Sequence, residues 1–320
     1  MFSIKLYLNK NKKDLFIIFL LLIITAFFRI IFLETIPPGI HGDEGWTGID
    51  ARLILKNGYI SPYVGSALGQ PTGPLYLTVV IFKLFGESIF TLRFSMTFFS
   101  ILTTSLFYIF LRIFTKRNVS FISSLAFSLS LFHLHFSRIA FMLITAPFFQ
   151  ILSLIFIILG IKTKNNLFFV LTGVILGLGI YSYNSFLVYP PILFLFIFLE
   201  LWRKKINMKQ FLLTLFTFII IAIPLFKIII TQPDFYFSHH KIYSVFNLND
   251  FKNKNNQFDK IKIFLKFGIG NINTYFFGKK IDYVDGFGKY YSFGYLTLLL
   301  FFLGLFFSWK KNFFSKYMFF

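Results

Sequence analysis

Long apolar runs dominate the chain, and within each run the residues are apolar throughout rather than alternating with polar ones. A helix crossing the hydrocarbon core of a membrane needs about 20 apolar residues, with a range near 17–25. Runs of that order lie at Leu15–Leu33, Phe94–Leu111, Val119–Phe136, Ile139–Ile161, Leu167–Tyr183, Ser185–Leu199, Phe211–Ile230 and Tyr291–Phe307. Continuous apolarity argues against a closed barrel of strands, which would alternate. The pattern predicts an all-α polytopic membrane protein of about eight transmembrane helices, a single transmembrane domain over residues 1–320. Inner loops are short, and two long external loops are expected at residues 34–93 and 231–290, each carrying a juxtamembrane amphipathic helix.

Composition agrees with the pattern. Hydrophobic residues make up 57% of the 320 positions, phenylalanine alone supplies 52, and only 14% are charged. A soluble surface carries roughly 25–35% charge, so lipid is the main solvent of this chain. Cysteine is absent, which excludes disulfides, thiolate metal sites and cysteine nucleophiles.

The net charge of +20 resembles a nucleic-acid signal until its placement is considered. One segment, Leu75–Phe85, is apolar but short and contains Lys83; if it crossed the bilayer, every later loop would change sides. With that segment lying flat, half of the basic residues fall in five short loops or tails on one side. Of the acids only Asp14 and Glu200 join them. That segregation is what the positive-inside bias produces. It predicts an N-in, C-in bacterial inner-membrane protein with no nucleic-acid partner. The first run follows Lys10, Lys12 and Lys13 without a small-residue cleavage site, so it reads as an uncleaved helix whose Arg29 snorkels to the outer interface.

Candidate chemistry gathers on the outer side. His41-Gly42-Asp43-Glu44-Gly45-Trp46 follows the first run. Adjacent carboxylates beside a bilayer are solvated, paired or functional. One can serve as general base while its neighbour orients it, or the pair can hold a divalent cation; the bland alternative is a solvated loop capping the helix through Ile49–Leu55, with Asp50 on its face. His133-Leu134-His135-Phe136-Ser137-Arg138 marks the next outer turn. Arg138 there can hold a phosphate in its planar fork or simply snorkel. Tyr181-Ser182-Tyr183-Asn184 and then Gln232-Pro233-Asp234 with His239-His240-Lys241 follow at later outer turns. By parity all four clusters face one compartment. Carboxylates, an arginine and aromatics at one membrane surface suit an amphipathic substrate with an anionic head and a long apolar tail.

Taken in order, these pieces resemble the GT-C membrane glycosyltransferases, in the branch of protein O-mannosyltransferases and lipid A aminoarabinose transferases. The matching segments are HGDE at 41–44, GPLYLTVVIFKLFGESIFTLRFS with Arg93, HLHFSRIAFMLITAPFF, GLGIYSYNSFLVYPP and PDFYFSHH, together covering roughly residues 15–245. The resemblance implies transfer of a sugar from a polyprenyl-phosphate donor to a lipid, glycan or protein acceptor, usually with inversion. It implies Asp43 as catalytic base and Glu44 as its support or an acceptor contact. Arg138 would hold the carrier phosphate, His41, His133, Tyr183, Asn184, His239 and His240 would line the pocket, and Arg93 would be structural. No cofactor is assigned beyond the divalent-cation option. Members of the family carry further spans and more C-terminal sequence, and His239-His240-Lys241 stands where an arginine is expected.

Two alternatives from other classes stay open: a transporter or flippase of lipid-linked sugars, and a truncated, non-catalytic remnant. Transporters place ionisable groups near mid-bilayer in broken helices with repeat symmetry, and no internal repeat is visible here. The side assignment is directly testable. Asp43→Cys in this naturally cysteine-free chain is expected to react with an impermeant thiol reagent added from outside the cell. Labelling only from the inside would reverse every side assigned above.

Overall fold

Capping side chains set the ends of the helices into which the apolar runs fold. The structure, a computed structural model, describes residues 12–238, 252, 256–277, 299–304 and 306. Its elements are α1 (Lys12–Ile30), α2 (Gly42–Asn57), strands β1 (Tyr63–Val64) and β2 (Gln70–Pro71), α3 (Leu75–Phe85) and α4 (Ile89–Arg112). They continue with α5 (Arg117–Leu129), α6 (Leu131–Phe136), α7 (Ala146–Thr163), α8 (Asn166–Gly179) and α9 (Tyr189–Trp202). The last are α10 (Met208–Thr231), the single turn α11 (Pro233–Tyr236) and α12 (Gln257–Phe277). Residues 12–129 and 133–236 belong to one compact unit; residues 130–132 and those described beyond 236 belong to a second, which contains α12.

Among the described residues, reciprocal capping boxes open three helices, as the orphan amides of a first turn require. In α4, Thr91 N–H donates to Ser88 Oγ at 3.1 Å while Ser88 N–H donates to Thr91 Oγ1 at 2.9 Å. In α10, Asn207 and Gln210 exchange the same pair of bonds. The third box, at α2, involves the acidic motif and is described below. Pro147 and Pro190-Pro191 do not break helices: they sit in the first turns of α7 and α9, where proline's missing N–H has no helical partner to lose.

Among the described residues, four stretches are long and apolar enough to cross a membrane: Ile89–Arg112, Met142–Thr163, Asn184–Trp202 and Met208–Thr231. Helix α1 has the length, but Lys12, Lys13, Asp14 and Arg29 occupy its ends. Helix α8 is apolar and shorter, as is α3, which coincides with the segment expected to lie flat. The run Tyr291–Phe307 falls largely outside the described residues, as do His239, His240 and Lys241.

Two expectations need correction. The run Val119–Phe136 divides into α5 and α6, and Arg29 does not snorkel. Arg29 is fully buried, donating to Ser100 Oγ at 2.8 Å, Ser128 Oγ at 3.0 Å, Ser128 O at 2.8 Å and Thr25 O at 3.3 Å. By taking the Ser128 carbonyl it offers the backbone an alternative to the helical bond, at the place where α5 stops. Snorkelling is unnecessary because the surrounding hydroxyls and carbonyls satisfy the fork.

Helix α8 packs on both α7 and α10, and its glycines set the closest approach. A Cβ on Gly173 would collide with Thr217 Oγ1 and the Thr214 carbonyl, and one on Gly177 would lie 2.5 Å from Ile221 Cβ. Thr214 Oγ1 then donates across the seam to Phe169 O at 3.1 Å, and Thr217 Oγ1 to Val170 O at 3.3 Å. This is the small-xxx-small contact by which helices associate in lipid, where apolar burial gives no driving force. Gly177→Leu is therefore expected to destabilise the protein by about 1–3 kcal/mol or more, read as a lower melting temperature in detergent. Gly268→Ala, where an added Cβ meets nothing within 4 Å, is the neutral control.

Candidate active site

The acidic motif sits at the start of α2, and its two carboxylates have different fates. His41 is the N-cap: Asp43 N–H donates to His41 Nδ1 at 3.2 Å, and His41 N–H donates to Glu44 Oε2 at 2.9 Å. Glu44 is buried and also accepts from Arg93 Nε at 2.9 Å, Arg93 Nη2 at 3.2 Å and Ala140 N–H at 2.8 Å. All of its acceptor capacity is directed into the protein. Asp43, one residue earlier, is only half-buried. Glu44 therefore holds the motif in place, and Asp43 is the accessible carboxylate of the pair.

Arg93 is fully buried at the start of α4 and completes this clasp. Besides Glu44 it donates to the carbonyls of Leu33 (3.0 Å), Glu34 (3.4 Å), Pro37 (2.9 Å) and Gly39 (2.5 Å). One guanidinium thus fixes the chain leaving α1, and through Glu44 it fixes the start of α2 and the backbone at Ala140.

Arg138, expected at a carrier phosphate, points its fork at the main chain. It donates to Phe28 O and Ile31 O at 2.6 Å each, and to Ile36 O at 3.1 and 3.3 Å. These bonds close the C-terminal end of α1. Burial pushes its guanidinium down from the ordinary arginine value, and the charge of Arg93 adds to the effect. His133 is buried, with Nδ1 2.8 Å from Arg29 Nη2. Arginine has no acceptor, so Nδ1 must be the unprotonated nitrogen. His133 is thus tied to Arg29 inside the bundle.

Aromatic rings join two of the remaining candidates. His41 meets Phe141 edge-on at 6.3 Å, and Phe141 meets Tyr183 edge-on at 5.5 Å. Asn184 belongs elsewhere: it is buried and donates from Nδ2 to Gly69 O at 2.7 Å. It thereby anchors the β1–β2 ribbon, whose Tyr63 hydroxyl donates to Tyr236 O at 3.1 Å. Asp50, expected on a helix face, is buried as well and holds the same loop through Ser66 Oγ (2.5 Å) and Gln70 Nε2 (3.1 Å). Among the described residues, no three histidine or carboxylate side chains gather where they could hold a metal ion.

Sequence reasoning missed Phe141 as the link between His41 and Tyr183, and the Glu44–Arg93 pair. Phe141 carried no signal among 52 phenylalanines. The pair did carry one, because a lone arginine opening an apolar span needs a buried carboxylate or carbonyls.

A family described as dolichyl-phosphate-mannose-protein mannosyltransferase matches residues 69–227. The crystal structure of ArnT from Cupriavidus metallidurans, in the apo state, superposes with a TM-score of 0.56 at 16% identity, over 73% of this chain and 47% of that one. The chain belongs to the GT-C glycosyltransferase superfamily, in its protein O-mannosyltransferase and ArnT branch. The archaeal oligosaccharyltransferase AglB from Archaeoglobus fulgidus, in complex with an inhibitory peptide and a dolichol-phosphate, aligns at a TM-score of 0.49 and 14% identity, over 86% of this chain and 38% of AglB. No curated protein sequence matches the chain. This GT-C chain, an integral membrane protein, spans less than half the length of the solved structures it matches.

The clasp of this GT-C chain makes a quantitative statement. Both side chains of the Glu44–Arg93 pair are about 1% exposed, and removing one partner of a buried pair leaves the other charge uncompensated. Glu44→Gln is expected to cost about 3–5 kcal/mol of stability, measured by thermal unfolding in detergent. Glu44→Gln combined with Arg93→Met should cost clearly less than the two single changes added together. Strict additivity would show that the pair is not coupled.

Proposed function

We propose that the chain is a membrane glycosyltransferase. It moves a sugar from a polyprenyl-phosphate-linked donor to a lipid, glycan or protein acceptor on the extracytoplasmic face, with inversion at the anomeric carbon. The observation that carries this reading is the division of labour in the acid pair: Glu44 is saturated by Arg93, Ala140 and His41, while Asp43 beside it stays accessible. In this mechanism Asp43 takes the proton from the acceptor's hydroxyl or amine. The acceptor oxygen or nitrogen bonds to the anomeric carbon, and the carbon–oxygen bond to the carrier breaks, its electron pair leaving with the phosphate. Glu44 and Arg93 are positioning residues that hold Asp43 on the first turn of α2.

The leaving phosphate needs positive charge near a low-dielectric boundary. Arg29, Arg93 and Arg138 surround the C-terminal end of α1, and among them Glu44 is the carboxylate that pairs. Arg138 is the most exposed of the three, at 9% against 0% for the others, and is the one proposed to meet the carrier phosphate. Its bonds of 3.1 and 3.3 Å to Ile36 can be exchanged for phosphate oxygens while the 2.6 Å bonds to Phe28 and Ile31 keep it anchored. His41 and Tyr183, joined through Phe141, form a wall beside Asp43. A cavity of about 400 Å³ lined by Tyr59, Tyr76, Phe99, Phe149 and Tyr181 suits the first isoprene units of the carrier.

A transporter or flippase of lipid-linked sugars is the second reading. It draws on the Arg29–His133 cluster buried inside the bundle, since ionisable groups within membrane spans often mark translocation paths. One variant separates the two. Asp43→Asn is expected to reduce sugar transfer from a polyprenyl-phosphate donor by roughly 10²–10⁴-fold, the usual contribution of a general base, with membrane insertion and melting temperature unchanged. Normal transfer by that variant would sink the enzyme reading, and lipid flipping that survives it would support the transporter.

A further inference from the structure

At the end of the bundle away from the acidic motif, a second cavity of about 380 Å³ lies over α4, with α1 and α7 contributing its walls. Its α7 wall is made by Leu152, Ile155, Phe156 and Leu159 and ends in Lys162. These positions follow the three- and four-residue spacing of one helix face. From residue 152 to 162 the face runs about 15 Å at ~1.5 Å per residue, which is the depth of one leaflet of a hydrocarbon core about 30 Å thick. The lining is apolar along that length and charged at one end only, where Arg112 of α4 joins Lys162.

The charged end carries more cation than its carboxylate can neutralise. Asp14 accepts from Tyr108 Oη at 2.7 Å, Arg117 Nε at 2.7 Å, and Arg112 Nε and Nη2 at 3.2 and 3.3 Å. One carboxylate thus faces two arginines. Lys162 lies 5.5 Å from the Phe114 ring centroid, and among the described residues it has no carboxylate within ion-pair range. Among the described residues, Arg112 and Lys162 of the lining and Arg117 beside it face the one acid Asp14, which leaves positive charge at the mouth of an apolar groove. An occupant must therefore bring hydrocarbon one leaflet deep and an anion at its end.

We propose that this groove holds an acyl chain of an anionic phospholipid from the leaflet at the Arg112–Lys162 end, with the lipid phosphate seated between those two side chains. The C-terminal part of the chain fits the groove less well. It has no acid after Asp285 and carries Lys310, Lys311 and Lys316, so it would add to the positive charge. The site is separate from the proposed transfer chemistry: Arg112 and Arg93 stand 19 residues apart on α4, about 28 Å at ~1.5 Å per residue.

The test uses the full chain in mild detergent, titrated with phosphatidylglycerol or phosphatidylcholine. Bound lipid is read by native mass spectrometry and melting temperature by tryptophan fluorescence. Phosphatidylglycerol is expected to be retained preferentially and to raise the melting temperature, phosphatidylcholine not. Lys162→Glu should weaken phosphatidylglycerol retention by roughly tenfold or more, as reversing a charge beside a lipid phosphate requires, with the helical circular dichroism spectrum unchanged. Should that variant not fold, Lys162→Gln removes the charge alone and should act in the same direction. Leu152→Trp, which fills the groove, should remove the adduct while leaving sugar transfer intact. Equal retention of the two lipids by the native protein would overturn the proposal, as would undiminished selectivity in Lys162→Gln. A disulfide formed between Leu159→Cys and Leu303→Cys would assign the groove to the chain's own C-terminal segment and overturn it equally.

Discussion

The constraint on which the rest of this structure depends is the desolvation of Arg93. A guanidinium with no exposure, at the head of an apolar helix, is tolerable only if all its donors are met. Glu44 meets two of them and the carbonyls of the segment leaving α1 meet the others. Satisfying one charge therefore dictates the path of residues 33–39, the placement of α2 and, through the Ala140 amide, the backbone on the far side of α6. The same demand explains why Glu44 is unavailable for chemistry: the carboxylate that stabilises Arg93 cannot also be solvated. Asp43 inherits the accessible position because it is one residue away on a helix, where consecutive side chains point in different directions.

Arg29 and Arg138 extend the principle by a different route. Arg138 relies on main-chain carbonyls at the C-terminal end of α1, and Arg29, one turn earlier, on serine hydroxyls and the carbonyls of Thr25 and Ser128. Carbonyls at a helix C-terminus carry partial negative charge, so a cation placed there is favoured without being neutralised. The consequence is a region where positive charge is held firmly in position but not cancelled. A site that must stabilise a phosphate leaving with its electrons needs charge of that kind, preorganised and still able to act outward.

Much of this was legible in the sequence because lipid imposes strong rules. Run length placed the helices around residues 89–112, 146–163 and 208–231, and the short apolar segment at 75–85 forms the helix α3. The acidic motif stood out since adjacent carboxylates next to a bilayer are costly. What could not be read was the pairing of charges distant in sequence. Arg29 looked like a snorkelling residue because its partners, Ser100, Ser128 and His133, lie 71 to 104 positions away. Arg138 and Glu44 were legible as important but not as to which direction they face. The Gly173–Gly177 pair had a readable small-xxx-small spacing and was obscured only by the wealth of apolar residues around it. The β1–β2 ribbon, two residues per strand, is held by Asp50 and Asn184 and leaves no periodic trace.

The buried acids also revise the meaning of the +20 charge. Positive residues near Asp14 and Glu200 would satisfy a topological rule simply by their number. The structure instead arranges them around those acids: Arg112 and Arg117 on Asp14, and Arg203 and Lys205 on Glu200. Each acid is buried and outnumbered. A buried carboxylate fixes the positions of long, mobile basic side chains whose individual exposed pairs would contribute little. Two cations on one acid leave a surplus that a one-to-one match would remove. Positive charge is therefore both held in place and left over at the end of the bundle bearing these basic loops, and again around Glu44 at the other. In a membrane, the anions that such a surplus meets are lipid phosphates.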